Sequence, residues 1–455
     1  MGLTRALVAI AAARTIGALS RLSGRGGGTT FPGDVARAID PGILRRLTSQ
    51  FRCGSILVTG TNGKTTTARL IAELLSVPPV VVLANRAGSN LIFGATAAVV
   101  RAARLDGSIR ADWGVFEVDE ASLQTAVAEI RPRVVVVGNL FRDQLDRYGE
   151  LERLAKTIEV ALSNLPPGAR TVMNADDPRV AEIGMSLDPP PIWYGLGDAA
   201  VGSAVLPHAA DARSCPRCGS TLLFSTVYVG HDGEWRCPRG DFTRPSPQVL
   251  ATGIERTGFQ KIALDAVGHR FEVGLGGLYN AYNLTAAIAT ATALELDPGQ
   301  LAERLAKVGP AFGRQERFER QGRRFTLLLA KNPTGFNEIL REAVLAGAEY
   351  FLIALNDDLA DGTDVSWIWD VDFEQLEGAE LVVPTGSRAA DLALRLKYAE
   401  VAADPAQVDL EGALDRIVAG TPPGREAHLL LTYTALLQLR QLLVKRGWLQ
   451  PFWSI

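Results

Sequence analysis

The stretch Ser55-Ile56-Leu57-Val58-Thr59-Gly60-Thr61-Asn62-Gly63-Lys64-Thr65-Thr66-Thr67 constrains this chain more than any other. An apolar run of β type enters a glycine turn. The turn ends in Lys-Thr-Thr, and a helical pattern follows at Ala68, Leu70, Ile71, Leu74 and Leu75. A strand, a glycine loop and a helix N-terminus in that order make a phosphate cradle, because backbone N–H groups and the helix dipole face the anion. Lys64 can reach the β- and γ-phosphates and the Thr65 hydroxyl can ligate Mg²⁺. Gly60, Thr61, Asn62, Gly63 and Thr66 complete the cradle. The loop is tighter than the usual pattern, since Val58 stands where the first glycine would fall. ATP or a relative is the expected ligand.

A chain of 455 residues, 47% hydrophobic and 21% charged, suits a globular protein of several domains. A net charge of -3 carries no signal for nucleic acid. Three of the four cysteines are clustered, which fits a reducing compartment better than a disulfide framework.

Strand patterns recur at Val80–Leu83, 112–118, Val134–Val137 and Arg170–Met173, with helical patterns at Leu123–Ile130 and Glu150–Leu162 between them. Such alternation predicts a mostly parallel sheet covered on both faces. Ligands bind beyond the C-terminal strand ends of such sheets. The polar runs Ala84–Asn90, Gly138-Asn139 and Asn174-Ala175-Asp176-Asp177-Pro178 all fall there. So does Glu117-Val118-Asp119-Glu120. Glu117 is expected to hold Mg²⁺ on the nucleotide phosphates with Thr65. Asp119, oriented the same way by strand alternation, is the alternative.

Cys215-Pro216-Arg217-Cys218 is half of a zinc knuckle, and Cys237-Pro238-Arg239-Gly240 looks like its partner. Two complete knuckles would make a tetrahedral structural Zn²⁺ site. Here Gly240 occupies the fourth cysteine position. Asp241 or His231 could supply the missing ligand, or the ribbon stands without metal. Cys53 reads as a core residue ahead of a buried strand.

Gly276-Gly277-Leu278-Tyr279-Asn280-Ala281-Tyr282-Asn283 precedes an Ala-rich helix. Asn280 and Asn283 lie one turn apart on one face, placed to read a base or cap the helix. Gly309 to Arg314 reads as a linker. A second α/β unit follows, with strands at Phe325–Leu329, Tyr350–Ala354, 380–383 and Leu429–Leu431. Its loop Asn356 to Asp370 carries five aspartates and two tryptophans, the composition of a partner surface or an active-site rim. The expected division is 1–50 as an N-terminal helical segment, 51–309 as the ATP-binding domain with 205–245 inserted, and 310–455 as the C-terminal domain. The segment Leu3–Leu19 is too short and too interrupted by Arg14 to span a bilayer. It is expected to pack on the body, with contact to a membrane surface as the alternative.

The loop from Thr59 to Thr66, the Glu117 strand, Asn174–Pro178, Gly277–Asn283 and Gly313-Arg314 together resemble the Mur ligase family, over nearly the whole chain. That family joins a carboxylate to an amine through an acyl phosphate made from ATP. The segments Phe141–Glu150, the cysteine insertion, Ala330-Lys331-Asn332-Pro333 and Ala360–Ile368 are similar to the branch that amidates. An ordinary amino-acid adder tends to have His-Asn-Pro where Lys331-Asn332-Pro333 stands.

The resemblance implies a Mur-ligase-like central ATPase domain with a parallel sheet and a zinc-ribbon-like insertion, plus a Rossmann-like C-terminal α/β domain. It implies ATP on the loop with Lys64, Mg²⁺ on Thr65 and Glu117, and a nucleotide set that includes Asn280 and Asn283 near the adenine and Arg314. It implies a GatD-like glutamine amidotransferase partner that releases ammonia, because the chain has no Cys-His pair suited to glutaminase work. The substrate would be the D-glutamate α-carboxylate of the lipid II stem peptide, amidated to D-isoglutamine at the cytoplasmic face of the membrane. Asp364 would complete the partner's Cys-His triad from across the interface, orienting the histidine; Asp361 is its nearest competitor. The rival readings are a ligase adding an amino acid to a UDP-linked precursor or a folate, and a nucleotide-binding scaffold without ligase activity.

Overall fold

A computed structural model of the chain describes residues 2–22, 30–85, 91–142, 150–309 and 314–450. Much of the polar run 84–90, most of the motif 141–150 and most of the linker 309–314 lie outside the described residues.

The first sheet is built from β1 (Gly54–Thr59), β2 (Val82–Ala84), β3 (Trp113–Glu117), β4 (Val134–Val137), β5 (Arg170–Asn174) and β6 (Ile192–Leu196). A hairpin of β7 (Leu223–Val229) and β8 (Asp232–Arg236) interrupts it. It is completed by β9 (Val249–Thr257), β10 (Lys261–Ala266) and β11 (His269–Val273). Its nine strands run in the order β11-β10-β9-β6-β5-β4-β1-β3-β2. All pairs from β2 to β9 are parallel, and β9, β10 and β11 pair antiparallel. Parallel strands covered on both faces read as continuous apolar runs, and all four valines of β4 are fully buried.

Two cores lie against the two faces. One packs Ala6, Ile10, Leu44, Val99, Leu123 and Ile158 against Leu57, Phe116 and Val135. The other packs Leu70, Ile71, Ala287 and Leu305 against Ile56, Val115 and Val136. The N-terminal helix Gly2–Leu22 docks through Ala6, Ala9, Ile10 and Ala13. Cys53 is half-buried at the edge of the second core. Among the described residues, no helix is long and apolar enough to cross a membrane.

The second sheet holds β12 (Arg314–Arg320), β13 (Arg323–Leu329), β14 (Tyr350–Ala354), β15 (Leu381–Thr385) and β16 (Glu426–Leu431). Their order is β12-β13-β16-β14-β15. The run Leu429–Leu431, a minimal strand by its apolar residues, is the end of the central six-residue β16. β12 is polar and charged apart from Phe318, lies on an antiparallel edge and carries no continuous apolar signal.

Candidate nucleotide site and its surroundings

In the first sheet the chain leaves β1 toward β3 on one side and β4 on the other. This reversal opens a crevice at the C-terminal end of β1, where ligands bind in open α/β sheets. The glycine loop fills it. Gly60 has φ +123° and a Cβ there would meet the Asn139 backbone N at 2.9 Å. Gly63 has φ +85° and caps the helix Lys64–Leu75; a Cβ there would collide with Asn283 Oδ1 at 2.1 Å. Both positions therefore need glycine on two grounds, conformation and space.

The segment after β4 holds the loop in shape. Asn139 O accepts the Thr61 N–H at 2.8 Å, and Asn139 Oδ1 accepts the Asn62 N–H at 2.9 Å. Thr61 Oγ1 donates to Phe141 O at 3.1 Å and accepts from Phe141 N at 3.0 Å.

Thr65 and Glu117 come together: Thr65 Oγ1 donates to Glu117 Oε2 at 2.7 Å. Register explains it, because Glu117 ends β3 directly beside Val58 of β1. Asn85 fixes the strand end by bonding both Glu117 backbone groups at 2.8 Å. Two oxygen donors at this separation suit one edge of an octahedral Mg²⁺ shell, whose edges are about 3 Å. The residues present fit that ion.

Lys64 is buried and pairs with a different acid. Its Nζ lies 3.1 Å from Glu120 Oε2. The alternation argument for Asp119 fails: β3 stops at Glu117, and Asp119 caps the short turn 120–122 by accepting the Ala121 N–H. Burial pushes the Asp119 carboxyl up, assisted by Glu120 and opposed by Lys64 and Lys331. Lys331 thus acts on this site from the C-terminal unit. Beside it Asn332 Nδ2 donates to Asn62 Oδ1 at 3.0 Å. Neither Glu120 nor Asn139 stood out by residue type, since only partners 56 and 77 positions away give them a role.

Asn280 and Asn283 share a face, as their spacing implies, and are buried under the loop. Asn283 Nδ2 donates to Asn280 Oδ1 at 2.8 Å, and Asn283 Oδ1 accepts from Thr67 at 3.1 Å. Asn280 also donates to Gly276 O at 2.6 Å. The pair links the helix Tyr279–Ala293 to the helix Lys64–Leu75. Arg314 opens β12; its side chain lies outside the described residues.

In the insertion, Cys215, Cys218, Cys237 and Asp241 bring four ligand atoms within 4.8 Å of one another. Cys218 Sγ and Cys237 Sγ are 3.4 Å apart. Each knuckle closes a turn on its first cysteine, with Gly219 N bonded to Cys215 O at 2.8 Å and Gly240 N to Cys237 O at 3.0 Å. Asp241 follows the second turn, so its carboxylate takes the place a fourth thiolate would hold. His231 is excluded from this set because it sits with Asp177 and Asp232 at the far end of the hairpin. Hydrogen bonds from Ser220 draw the Cys218 thiol down to about 7, and burial pushes Cys237 up to about 12. Three soft sulfurs and one carboxylate fit Zn²⁺.

The acidic loop separates its aspartates. Asp361 is buried and accepts from Thr434 N at 2.9 Å and from Thr434 Oγ1. Asp364 is half-buried, with Oδ1 accepting the Ser366 N–H at 2.7 Å. The two tryptophans also part company: Trp367 is core, packed on Phe336, whereas Trp369 is 48% exposed beside Tyr398. Only the second can serve a surface.

Residues 58–211 match the Mur ligase middle domain and residues 329–436 match the MurT ligase C-terminal domain. The lipid II isoglutaminyl synthase (glutamine-hydrolyzing) subunit MurT of Streptococcus pneumoniae (strain ATCC BAA-255 / R6) is 34% identical, over 94% of this chain and 94% of its own. The same subunit of Staphylococcus aureus (strain COL) is 33% identical, over 82% of this chain and 84% of its own. A pseudomurein peptide ligase type C from Methanothermus fervidus shares the fold with a TM-score of 0.66 and 21% identity, over 86% of this chain and 79% of its own. The MurF ligase from Thermotoga maritima in complex with ADP does so with a TM-score of 0.61 and 14% identity, over 91% and 85%.

Proposed function

The chain belongs to the MurT family of Mur ligases, and from that premise we propose that it amidates the D-glutamate α-carboxylate of the lipid II stem peptide to D-isoglutamine, consuming ATP. The observation that carries the reading is the loop's charge arrangement: Lys64 on one side, the Thr65–Glu117 oxygen pair on the other.

A carboxylate is a poor acyl donor because its leaving group would be oxide. Its oxygen attacks the γ-phosphorus, ADP departs, and the acyl phosphate now carries phosphate as leaving group. Ammonia attacks the acyl carbon, phosphate departs and a proton leaves the nitrogen. The phosphoryl step needs charge neutralisation more than covalent help. Lys64, released from Glu120, supplies one positive charge to the phosphates. Thr65 and Glu117 would hold Mg²⁺, which when bound neutralises the β- and γ-oxygens. The backbone N–H groups from Gly60 to Thr66 hold the phosphates in line. Asn280, Asn283 and Arg314 belong to the nucleotide set in this reading, the two asparagines acting from beneath the loop.

The nitrogen comes from a GatD-like glutamine amidotransferase subunit. Ammonia delivered from a neighbouring site stays neutral and shielded from water. Asp364, on the loop of the C-terminal unit (310–455), orients the partner's histidine. The Cys215-Cys218-Cys237-Asp241 set would hold Zn²⁺ in a structural role. The reaction takes place at the cytoplasmic face of the membrane, where exposed Val8 and Leu19 of the N-terminal helix can meet lipid.

Phosphate release from ATP, measured with lipid II and ammonium and without a partner, tests this. Substrate-dependent release with ammonium is expected. Turnover with an amino acid but not ammonium would instead make the chain an amino-acid adder, and no release with either would leave a nucleotide-binding scaffold.

A further inference from the structure

His231 sits in the turn between β7 and β8, fully buried and remote from the cysteines. Its Nδ1 accepts the Ala212 N–H at 3.4 Å. The ring proton therefore resides on Nε2, and a nitrogen acting as donor offers no lone pair to a metal ion. Nε2 lies near two carboxylates, 3.3 Å from Asp177 Oδ2 and 3.9 Å from Asp232 Oδ1. Neither contact has hydrogen-bond alignment, so both are electrostatic. The ring itself packs on Phe141, with centroids 4.6 Å apart.

These contacts converge on the segment that shapes the glycine loop. Asp177 caps the helix Pro178–Met185 through its Oδ1, and its Oδ2 accepts the Leu140 N–H at 2.7 Å. Leu140 lies between Asn139 and Phe141, the two residues that bond Thr61 and Asn62. The other side of the turn is closed by the C-terminal unit. Arg341 donates to Tyr228 O at 2.7 Å and to Glu338 Oε2 at 2.6 Å, and a Cβ on Gly230 would meet both Phe141 at 2.7 Å and Thr334 at 2.9 Å. Arg341, Glu338 and Thr334 belong to the helix Pro333–Leu345, whose cap Asn332 bonds Asn62. The circuit returns to the loop it began from.

We propose that His231 is a positioning residue for the nucleotide site, which fixes residues 139–141 and so ties the cysteine insertion to the phosphate loop. This rests on reading the glycine loop as the ATP site. The mechanism is geometric. Loss of the ring's hold on Phe141 and of its electrostatic contact with Asp177 lets the 139–141 segment shift. The Thr61 and Asn62 backbone then no longer meets the phosphates, and small displacements of such groups are costly.

The test is steady-state kinetics of the full chain with ammonium as nitrogen source. His231→Phe keeps a ring on Phe141 and removes the Nε2 donor. It should raise the KM for ATP about tenfold while the KM for lipid II and kcat stay within about twofold. His231→Gln, which returns an amide donor toward Asp177, should recover most of the loss. If His231→Phe does not fold, Phe141→Leu replaces it: the backbone bonds to Thr61 remain, the ring under His231 is gone, and the same selective rise in the KM for ATP is expected. An unchanged KM for ATP in a folded variant overturns the proposal. So does an equal loss toward both substrates that tracks thermal stability, or a metal ion in addition to the ribbon's that disappears in His231→Phe. A wild-type chain that fails to saturate with ATP would instead sink the reading of the site itself.

Discussion

Lys64 and Glu120 form a buried ion pair, Nζ to Oε2 3.1 Å, with each side chain 7% exposed. A buried lysine needs a counter-charge, and without nucleotide Glu120 supplies it. Glu120→Gln removes that charge and should destabilise the chain by about 3 kcal/mol in urea unfolding, because a buried lysine loses the carboxylate 3.1 Å away. Saturating Mg-ATP should shrink the deficit, since phosphate then pairs with Lys64 in the native state only. The same deficit with and without nucleotide would remove Glu120 from this role.

The 2.7 Å contact between Thr65 and Glu117 predicts a shared effect. Thr65→Ala and Glu117→Gln should each lower kcat for amidation about 100-fold with glutamine or ammonium alike, the scale of losing one group that stabilises transition-state charge. Thr65→Ser keeps the hydroxyl and should retain most activity. Full activity in Thr65→Ala would take the hydroxyl out of the metal site.

Asp364 and Asp361 lie three residues apart and should behave differently. Asp364→Asn is expected to abolish glutamine-driven amidation in the complex with the amidotransferase and to spare the ammonium reaction. Loss of both reactions would show the assigned role to be wrong. Asp361→Asn weakens the bonds from Thr434 and should cost about 1 kcal/mol of stability, without favouring either nitrogen source.

His428 lies on β16 between Phe259 and Phe351. Burial pushes its imidazole down to about 4, with Glu426 opposing and Arg317 assisting. The unfolded chain binds this proton near 6.5 and the folded chain only near 4. His428 therefore contributes its full stability above pH 6.5 and loses it as pH falls toward 4. Between pH 7.5 and 4.5 the wild type should lose on the order of 2 kcal/mol more than His428→Gln, measured by urea unfolding at both pH values. Parallel pH slopes would contradict the assignment.

The parallel strands were legible because both faces are buried, so β1, β3 and β4 carry continuous apolar runs and β5 a shorter one at Val172-Met173. β7 and β8 were not, because a short hairpin in a polar insertion has little periodicity to show. At the site, the glycine loop and Glu117 could be read from strand–loop–helix order and from a carboxylate at a strand end. The choice among neighbouring acids could not. Alternation places Asp119 beside Glu117 only while the strand continues, and it stops two residues too soon. The fourth ribbon ligand was open between Asp241 and His231 until the hairpin separated them.

The amino-acid order alone determined the phosphate cradle, because strand, glycines, Lys64 and Thr65 are contiguous and their chemistry is local. Tertiary structure decided which partner each charged group has. Lys64 meets Glu120, and Asn62 meets Asn332 across 270 positions, through sheet register and the packing of one unit on the other. Those contacts depend on where chains cross in space, which no local pattern encodes.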